Sequence, residues 1–143
     1  MSMTFHVDIV SAEESIFSGT AHMLVAPAEH GEVGILPRHS QYVSLLKPGE
    51  VRIRISDSGE EQNIYISGGV LEVQPHVVTV LADTAIRAKD LDEAEALEAK
   101  RRAEDALANQ RADFDYARAQ SELAEAAARL RMIQKLRRSS SQQ

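Results

Sequence analysis

Apolar residues fall at every second position through much of the first half of the chain and at every third or fourth position through the second half, which predicts strands followed by helices. The densest apolar segment, residues 64–83, is broken at Gly68-Gly69 and Pro75-His76, so it predicts three short β-branched strands joined by tight turns. Residues 3–10 place Phe5, Val7 and Ile9 on one side and Thr4, His6 and Asp8 on the other, the pattern of a strand buried on one face. A short strand and turn at Ile16-Phe17-Ser18-Gly19 precedes an apolar run over residues 21–26. Pro27 ends that run, because proline cannot donate to a ladder. Two glycines and Pro37 within residues 31–39 predict a sharply shaped loop or bulged strand. Residues 42–46 form one further strand before the turn at Pro48-Gly49. Another follows in which Val51, Ile53 and Ile55 point inward and Arg52 and Arg54 into water, and Ser58-Gly59 turns it back. Many short strands with turn signals between them, and no helical crossover, predict an antiparallel β-sandwich or barrel over residues 3–84.

After Asp83 the composition turns to Ala, Glu and Arg, and the period changes with it. Asp90 with Glu93 three residues on predicts a capping box at a helix start. Ala96, Ala99, Ala103, Ala106 and Leu107 then share one face, with Glu98–Arg102 and Arg101–Asp105 as solvent-side pairs, to an end near Asn109. A polar connection over residues 111–115 leads to a second helix striped by Leu123, Ala126, Leu130 and Ile133, and two helices so joined make an antiparallel hairpin. The chain therefore divides into a β domain, residues 1–88, and a helical hairpin with a basic tail, residues 89–143. Burying a methyl contributes about 0.8 kcal/mol, against roughly 1.5–3 kcal/mol for a leucine side chain, so facing alanine stripes pack closely but weakly. Such a hairpin detaches easily.

Composition narrows the function. The 143 residues are 43% hydrophobic with net charge −6 and no cysteine, as expected of a globular chain without disulfides or thiolate metal sites. The N-terminus has no basic and apolar leader and no run of 18 apolar residues occurs, which predicts a chain neither exported nor inserted in a membrane. No nucleophile motif or Walker loop is present, and Gly68-Gly69 is followed by strand rather than by the helix a phosphate cradle needs. His30 and His39, beside Glu29 and Glu32, lack metal-ligand spacing. An enzyme is not indicated. The charge is uneven: residues 1–89 hold 6 basic and 11 acidic residues, residues 90–128 hold 5 and 11, and residues 129–143 hold 5 basic and no acidic residues. Arg131, Lys135 and Arg138 share one helical face, with Arg129 and Arg137 nearby, on a helix that also carries Met132, Ile133 and Leu136. This predicts an acidic protein surface or an anionic membrane as partner, and not nucleic acid, given the acidic remainder and few aromatics.

Four segments in order, Gly34-Ile35-Leu36-Pro37-Arg38-His39, Lys47-Pro48-Gly49-Glu50-Val51-Arg52-Ile53, Ser67-Gly68-Gly69-Val70-Leu71-Glu72-Val73 and Val78-Thr79-Val80-Leu81-Ala82-Asp83, resemble the epsilon subunit of the bacterial F-type ATP synthase over nearly the whole chain. The resemblance implies an α+β protein in two parts, an antiparallel β-sandwich of about ten strands and then an antiparallel helical hairpin. It also implies a non-catalytic rotor subunit of the central stalk, peripheral on the cytoplasmic face of the bacterial cell membrane. Its partners would be the gamma subunit and the proteolipid ring, and the alpha and beta subunits when the hairpin extends to inhibit ATP hydrolysis. Glu32 and His39, at one end of the sandwich, would meet the ring, and Arg129, Arg131, Lys135, Arg137 and Arg138 would form the inhibitory basic face. Some members bind ATP through a Leu/Ile-Asp-x-x-Arg-Ala motif and a later arginine. Here Asp92 and Ala96 match and Arg102 is the later arginine, but Glu95 replaces the motif arginine. That reverses the charge at the ligand and counts against nucleotide sensing.

Overall fold

The structure, a computed structural model, describes residues 3–55, 59–109 and 116–141; the predicted turn at Ser58 and the connection over residues 111–115 lie outside them. Ten strands come first: β1 Phe5–Ser11, β2 Ser15–Ala21, β3 Met23–Ala28, β4 Gly31–Ile35, β5 Tyr42–Leu46, β6 Gly49–Arg54, β7 Glu61–Ile66, β8 Gly69–Val73, β9 Val77–Ala82 and β10 Ala85–Arg87. A single 3₁₀ turn, Ala88–Asp90, and two helices follow, α1 Glu93–Asn109 and α2 Tyr116–Ser141. Two compact units result, Met1–Lys89 and Asp90–Gln143.

The strands pair in the order β10-β7-β6-β3-β5-β8-β9-β1-β2, with β4 beside β3. This ladder folds over itself at one corner. β5 pairs with β8 through Leu46↔Gly69 while β6 pairs with β7 through Gly49↔Ile66; β8 pairs with β9 through Gly69↔Ala82 while β7 pairs with β10 through Ile66↔Ala85. Three bent strand pairs thus cross between one layer, β4-β3-β6-β7-β10, and another, β5-β8-β9-β1-β2, making a near-closed sandwich. Arg87 on β10 donates from Nη2 to the Ile16 carbonyl of β2 (2.9 Å), tying the two ends of the ladder together. One pairing departs from the antiparallel expectation: β1, antiparallel to β2 on one side, lies parallel to β9 on the other, from His6↔Val77 to Ser11↔Ala82, the long intervening chain allowing the two strands to run the same way.

Inward residues alternate as the sequence predicts. Phe5, Val7 and Ile9, then Val51 and Ile53, and then Ile64, Ile66, Leu71, Val73, Val78 and Val80 are buried in one core. At the corner the backbone is satisfied locally: Ser67 N donates to Thr84 O (3.1 Å), Asp83 N to Gly68 O (2.9 Å), and Thr84 donates from N and Oγ1 to Ser67 Oγ (3.0 and 2.7 Å). Gly68 and Gly69 have φ of 127° and 148°, and a Cβ on Gly69 would stand 2.0 Å from the Leu81 carbonyl oxygen. The tightest crossing therefore admits only glycine.

The helical unit is an antiparallel hairpin whose described contacts run from Glu93 against Arg137 to Ala96 with Leu130 and Ile133. Ala96, Ala103, Ala126, Leu130 and Ile133 are buried, while Ala99, Ala106, Leu107 and Leu123 are half-buried. The helix start differs from expectation. Asp90 lies in the 3₁₀ turn, and the N-cap is Asp92, whose Oδ1 accepts from Glu95 N (3.3 Å) and whose carbonyl accepts from Ala96 N (3.1 Å). Glu95, not Glu93, therefore holds the third helical position of the capping box. Within α1 an ion pair joins Lys100 and Glu104 (3.9 Å), between the predicted Glu98–Arg102 and Arg101–Asp105 registers.

Gly31 and Gly69 separate conformational strain from steric collision, since Gly31 also has positive φ (137°) but nothing within 4 Å of an added Cβ. Gly31→Ala is expected to cost about 1 kcal/mol and Gly69→Ala at least about 3 kcal/mol. Urea unfolding followed by the sheet signal measures both; equal costs would mean that the corner relaxes around the methyl.

Candidate functional site

The outer face of the β5-β8-β9-β1-β2 layer carries apolar side chains where solvent-facing positions call for polar ones. By register, Leu45 stands opposite Val70, Val70 opposite Leu81, and Leu81 opposite Val10, forming one row across four strands. Leu45 is 59% exposed, Leu81 48%, and Val43, on the next row, 69%. Val10 and Val70 are half-buried. A contiguous apolar row on a solvent-facing sheet is the kind of surface on which partners dock. These residues are absent from the sequence-based candidates. The available signal was that β5 (Tyr-Val-Ser-Leu-Leu) and β9 (Val-Val-Thr-Val-Leu-Ala) are apolar on both faces, which a strand solvated on one face does not need.

The neighbouring row begins with Val43 and continues as a polar border through Glu72, Thr79, Asp8 and Ser18. Ser18 Oγ donates to Asp8 Oδ1 (2.7 Å), and His6 Nε2 meets the same oxygen at 2.9 Å. The Ser18 hydrogen bond holds the Asp8 carboxyl below the usual carboxylate range; partial burial opposes this and the His6 hydrogen bond and charge assist. Serine, histidine and aspartate meet here without the geometry of a nucleophile. The serine proton is spent on the carboxylate, and histidine presents one nitrogen, Nε2, to both neighbours (3.3 Å to Ser18 Oγ). The cluster instead fixes a negative charge at the border of the apolar row.

Glu32 and His39 do not share one end of the sandwich. Glu32 lies beside the β3–β4 turn, opposite Pro27, whose carbonyl accepts from Lys47 N at the corner (3.0 Å). Its carboxylate is 62% exposed and 3.7 Å from Arg52. His39 follows the far end of β4. There Pro37-Arg38 makes a tight turn in which Arg38 has φ 64°, His39 N donates to Leu36 O (3.2 Å), and Arg38 N donates to Pro75 O in the β8–β9 turn (3.2 Å). The sequence separation of seven residues is spent on a full strand and a turn, so the two side chains are carried apart. His39 Nδ1 bonds the Ser40 carbonyl (2.7 Å), and its ring stands edge-on to Tyr42 at 6.2 Å.

On the hairpin, Arg131, Lys135 and Arg138 are exposed along one line of α2, whereas Met132 and Ile133 between them are buried. The other two cations face elsewhere. Arg129 is half-buried and lines a groove of about 290 Å³ between the helices with Ala99, Arg102, Glu122, Glu125 and Ala126. Arg137 forms a two-pronged ion pair with Glu93. Of the nucleotide-motif residues, Asp92 caps α1 and Ala96 is fully buried against Leu130 and Ile133. Only Arg102 stands in the groove.

Two family models match in tandem, the beta-sandwich domain of the ATP synthase delta/epsilon chain over residues 4–88 and its long alpha-helix domain over residues 89–134. The chain belongs to the ATP synthase delta/epsilon family. It is 80% identical to the ATP synthase epsilon chain of Thioalkalivibrio sulfidiphilus over 96% of its length and 98% of that relative. It is 64% identical to the ATP synthase epsilon chain of Nitrosococcus oceani, with the same coverage. Members of this family are subunits of the synthase without catalytic residues of their own, and the chain is such a non-catalytic subunit. Its fold recurs in a chain of the Euglena gracilis mitochondrial ATP synthase (TM-score 0.69, 23% identity, 86% of this chain and 76% of that one). It recurs again in the central stalk and c-ring structure of the Tetrahymena thermophila mitochondrial enzyme (TM-score 0.64, 11% identity, 92% and 98%). Among the described residues no helix of this epsilon-type chain is long and apolar enough to cross a membrane.

Proposed function

We propose that the chain is the rotor-stalk subunit that joins the gamma subunit to the proteolipid ring and restrains ATP hydrolysis through its helical hairpin, on the cytoplasmic face of the membrane. The row Leu45, Val70, Leu81 and Val10, with Val43 beside it, carries this reading, because it is an apolar surface fixed on the rigid unit and it fits a permanent subunit partner, gamma. Glu32, exposed next to the corner, meets the polar loops of the ring; His39 lies at the other end and does not share that contact. The line Arg131, Lys135 and Arg138 meets carboxylates of the alpha and beta subunits once the hairpin extends, where several partly screened ion pairs shift a two-state balance. ATP is not a regulatory ligand in this reading. Residues that would hold it do not fit: Asp92 is engaged in capping, Ala96 is closed off in the hairpin core, and Glu95 places a carboxylate where a phosphate needs a cation.

Leu45→Glu with Leu81→Glu leaves the core untouched and is expected to weaken capture of gamma by at least about 100-fold, since docking would then bury unpaired charge. Retention of gamma by the folded double variant in a pull-down would move the docking face elsewhere. Changing Arg131, Lys135 and Arg138 together to glutamate is expected to raise ATP hydrolysis by the assembled enzyme about threefold or more while leaving assembly intact. Unchanged hydrolysis at both low and moderate salt would reduce the basic line to a solvated helix end.

A further inference from the structure

We propose that the Arg137–Glu93 pair is the clasp that holds the helical hairpin closed, and that opening hands Arg137 from Glu93 to the acidic partner surface. The inference rests on the reading of the hairpin as an inhibitory arm that opens.

Three observations carry it. The pair is placed where it has most leverage. Glu93 is the first residue of α1 and Arg137 lies near the end of α2, 44 residues apart in sequence, so they meet at the end of the hairpin farthest from the covalent connection. At that end the helices can separate without stretching the chain, and separation must break this contact first. Next, the geometry is that of a specific pair. Arg137 Nη1 reaches Glu93 Oε1 (3.3 Å) and Nη2 reaches Oε2, a fork-to-fork arrangement in which the Glu93 side chain is 28% exposed and that of Arg137 68%. Finally, the apolar contact beneath the pair is small, Ala96 with Leu130 and Ile133 and half-buried Leu91, so a forked ion pair beside it is a sizeable share of what closes this end.

The clasp also gives Arg137 two roles: it can serve the closed hairpin or the open one, but not both. Closure and inhibition therefore compete for the same guanidinium, which couples the two states through one residue.

Each partner also suits the dipole of its own helix, Glu93 at the N-terminus of α1 and Arg137 near the C-terminus of α2, and that benefit survives opening. A double-mutant cycle isolates the pair. In the full-length chain, amide hydrogen exchange over residues 97–103 and 126–133 reads the closed-to-open ratio. Glu93→Gln and Arg137→Gln are each expected to lower protection about fivefold, and the double variant no more than either single change. Unaltered protection in the single variants, or effects that multiply in the double variant, would overturn the clasp. Glu93→Gln, which leaves every cation in place, should also slow ATP hydrolysis by the assembled enzyme. If exchange responds as stated and hydrolysis does not, the clasp stands and the inhibitory reading of the hairpin fails.

Discussion

Three strand pairs cross between the two layers at a single corner, where Gly69 packs against the Leu81 carbonyl so closely that no side chain fits between them. That close approach sets the register of β8 on β9. Through it, alternate residues of both strands are sorted between the core and the outer face. Leu71, Val73, Val78 and Val80 go inward, and Val70 and Leu81 outward. Pro48-Gly49 repeats the device one strand pair away, since a Cβ on Gly49 would stand 2.9 Å from Pro27. The docking row and the place of Glu32 both follow from this corner. A slip of one residue there would bury the row and expose the core.

The two units are built on different economies of packing. The sandwich encloses large β-branched side chains that pack to near-zero exposure, and each contributes roughly 1.5–3 kcal/mol, so it is rigid and suited to a permanent partner. The hairpin rests on alanine, a few larger residues near its open end and the Arg137–Glu93 ion pair, so it buries less per residue than the sandwich.

Much of this was legible in the residues. The alternation of Phe5, Val7 and Ile9, the breakers at Gly68-Gly69 and Pro75-His76, and the helical stripes all report local periodicity, which the chain carries directly. What was not legible depends on pairing between distant strands. The parallel β1–β9 ladder, the row from Leu45 to Val10 and the separation of Glu32 from His39 exist only once the register is fixed. Two nearby choices were also decided by geometry rather than by pattern. Asp90 and Asp92 both satisfy the capping rule, and the 3₁₀ turn uses the first, leaving the second to cap α1. Five cations in the tail look alike in sequence, yet Arg129 turns into a groove and Arg137 is held by Glu93.

The central claim is that attachment belongs to the sandwich and regulation to the hairpin. The most direct measurement is the affinity of residues 1–88 for the gamma subunit, compared with that of the full chain. The account predicts a truncated chain with an intact sheet signal and a Kd within about threefold of the full-length value, a difference below 1 kcal/mol. A well-folded sandwich that loses gamma altogether would place the docking energy in the helices and contradict the division of labour argued from the apolar row.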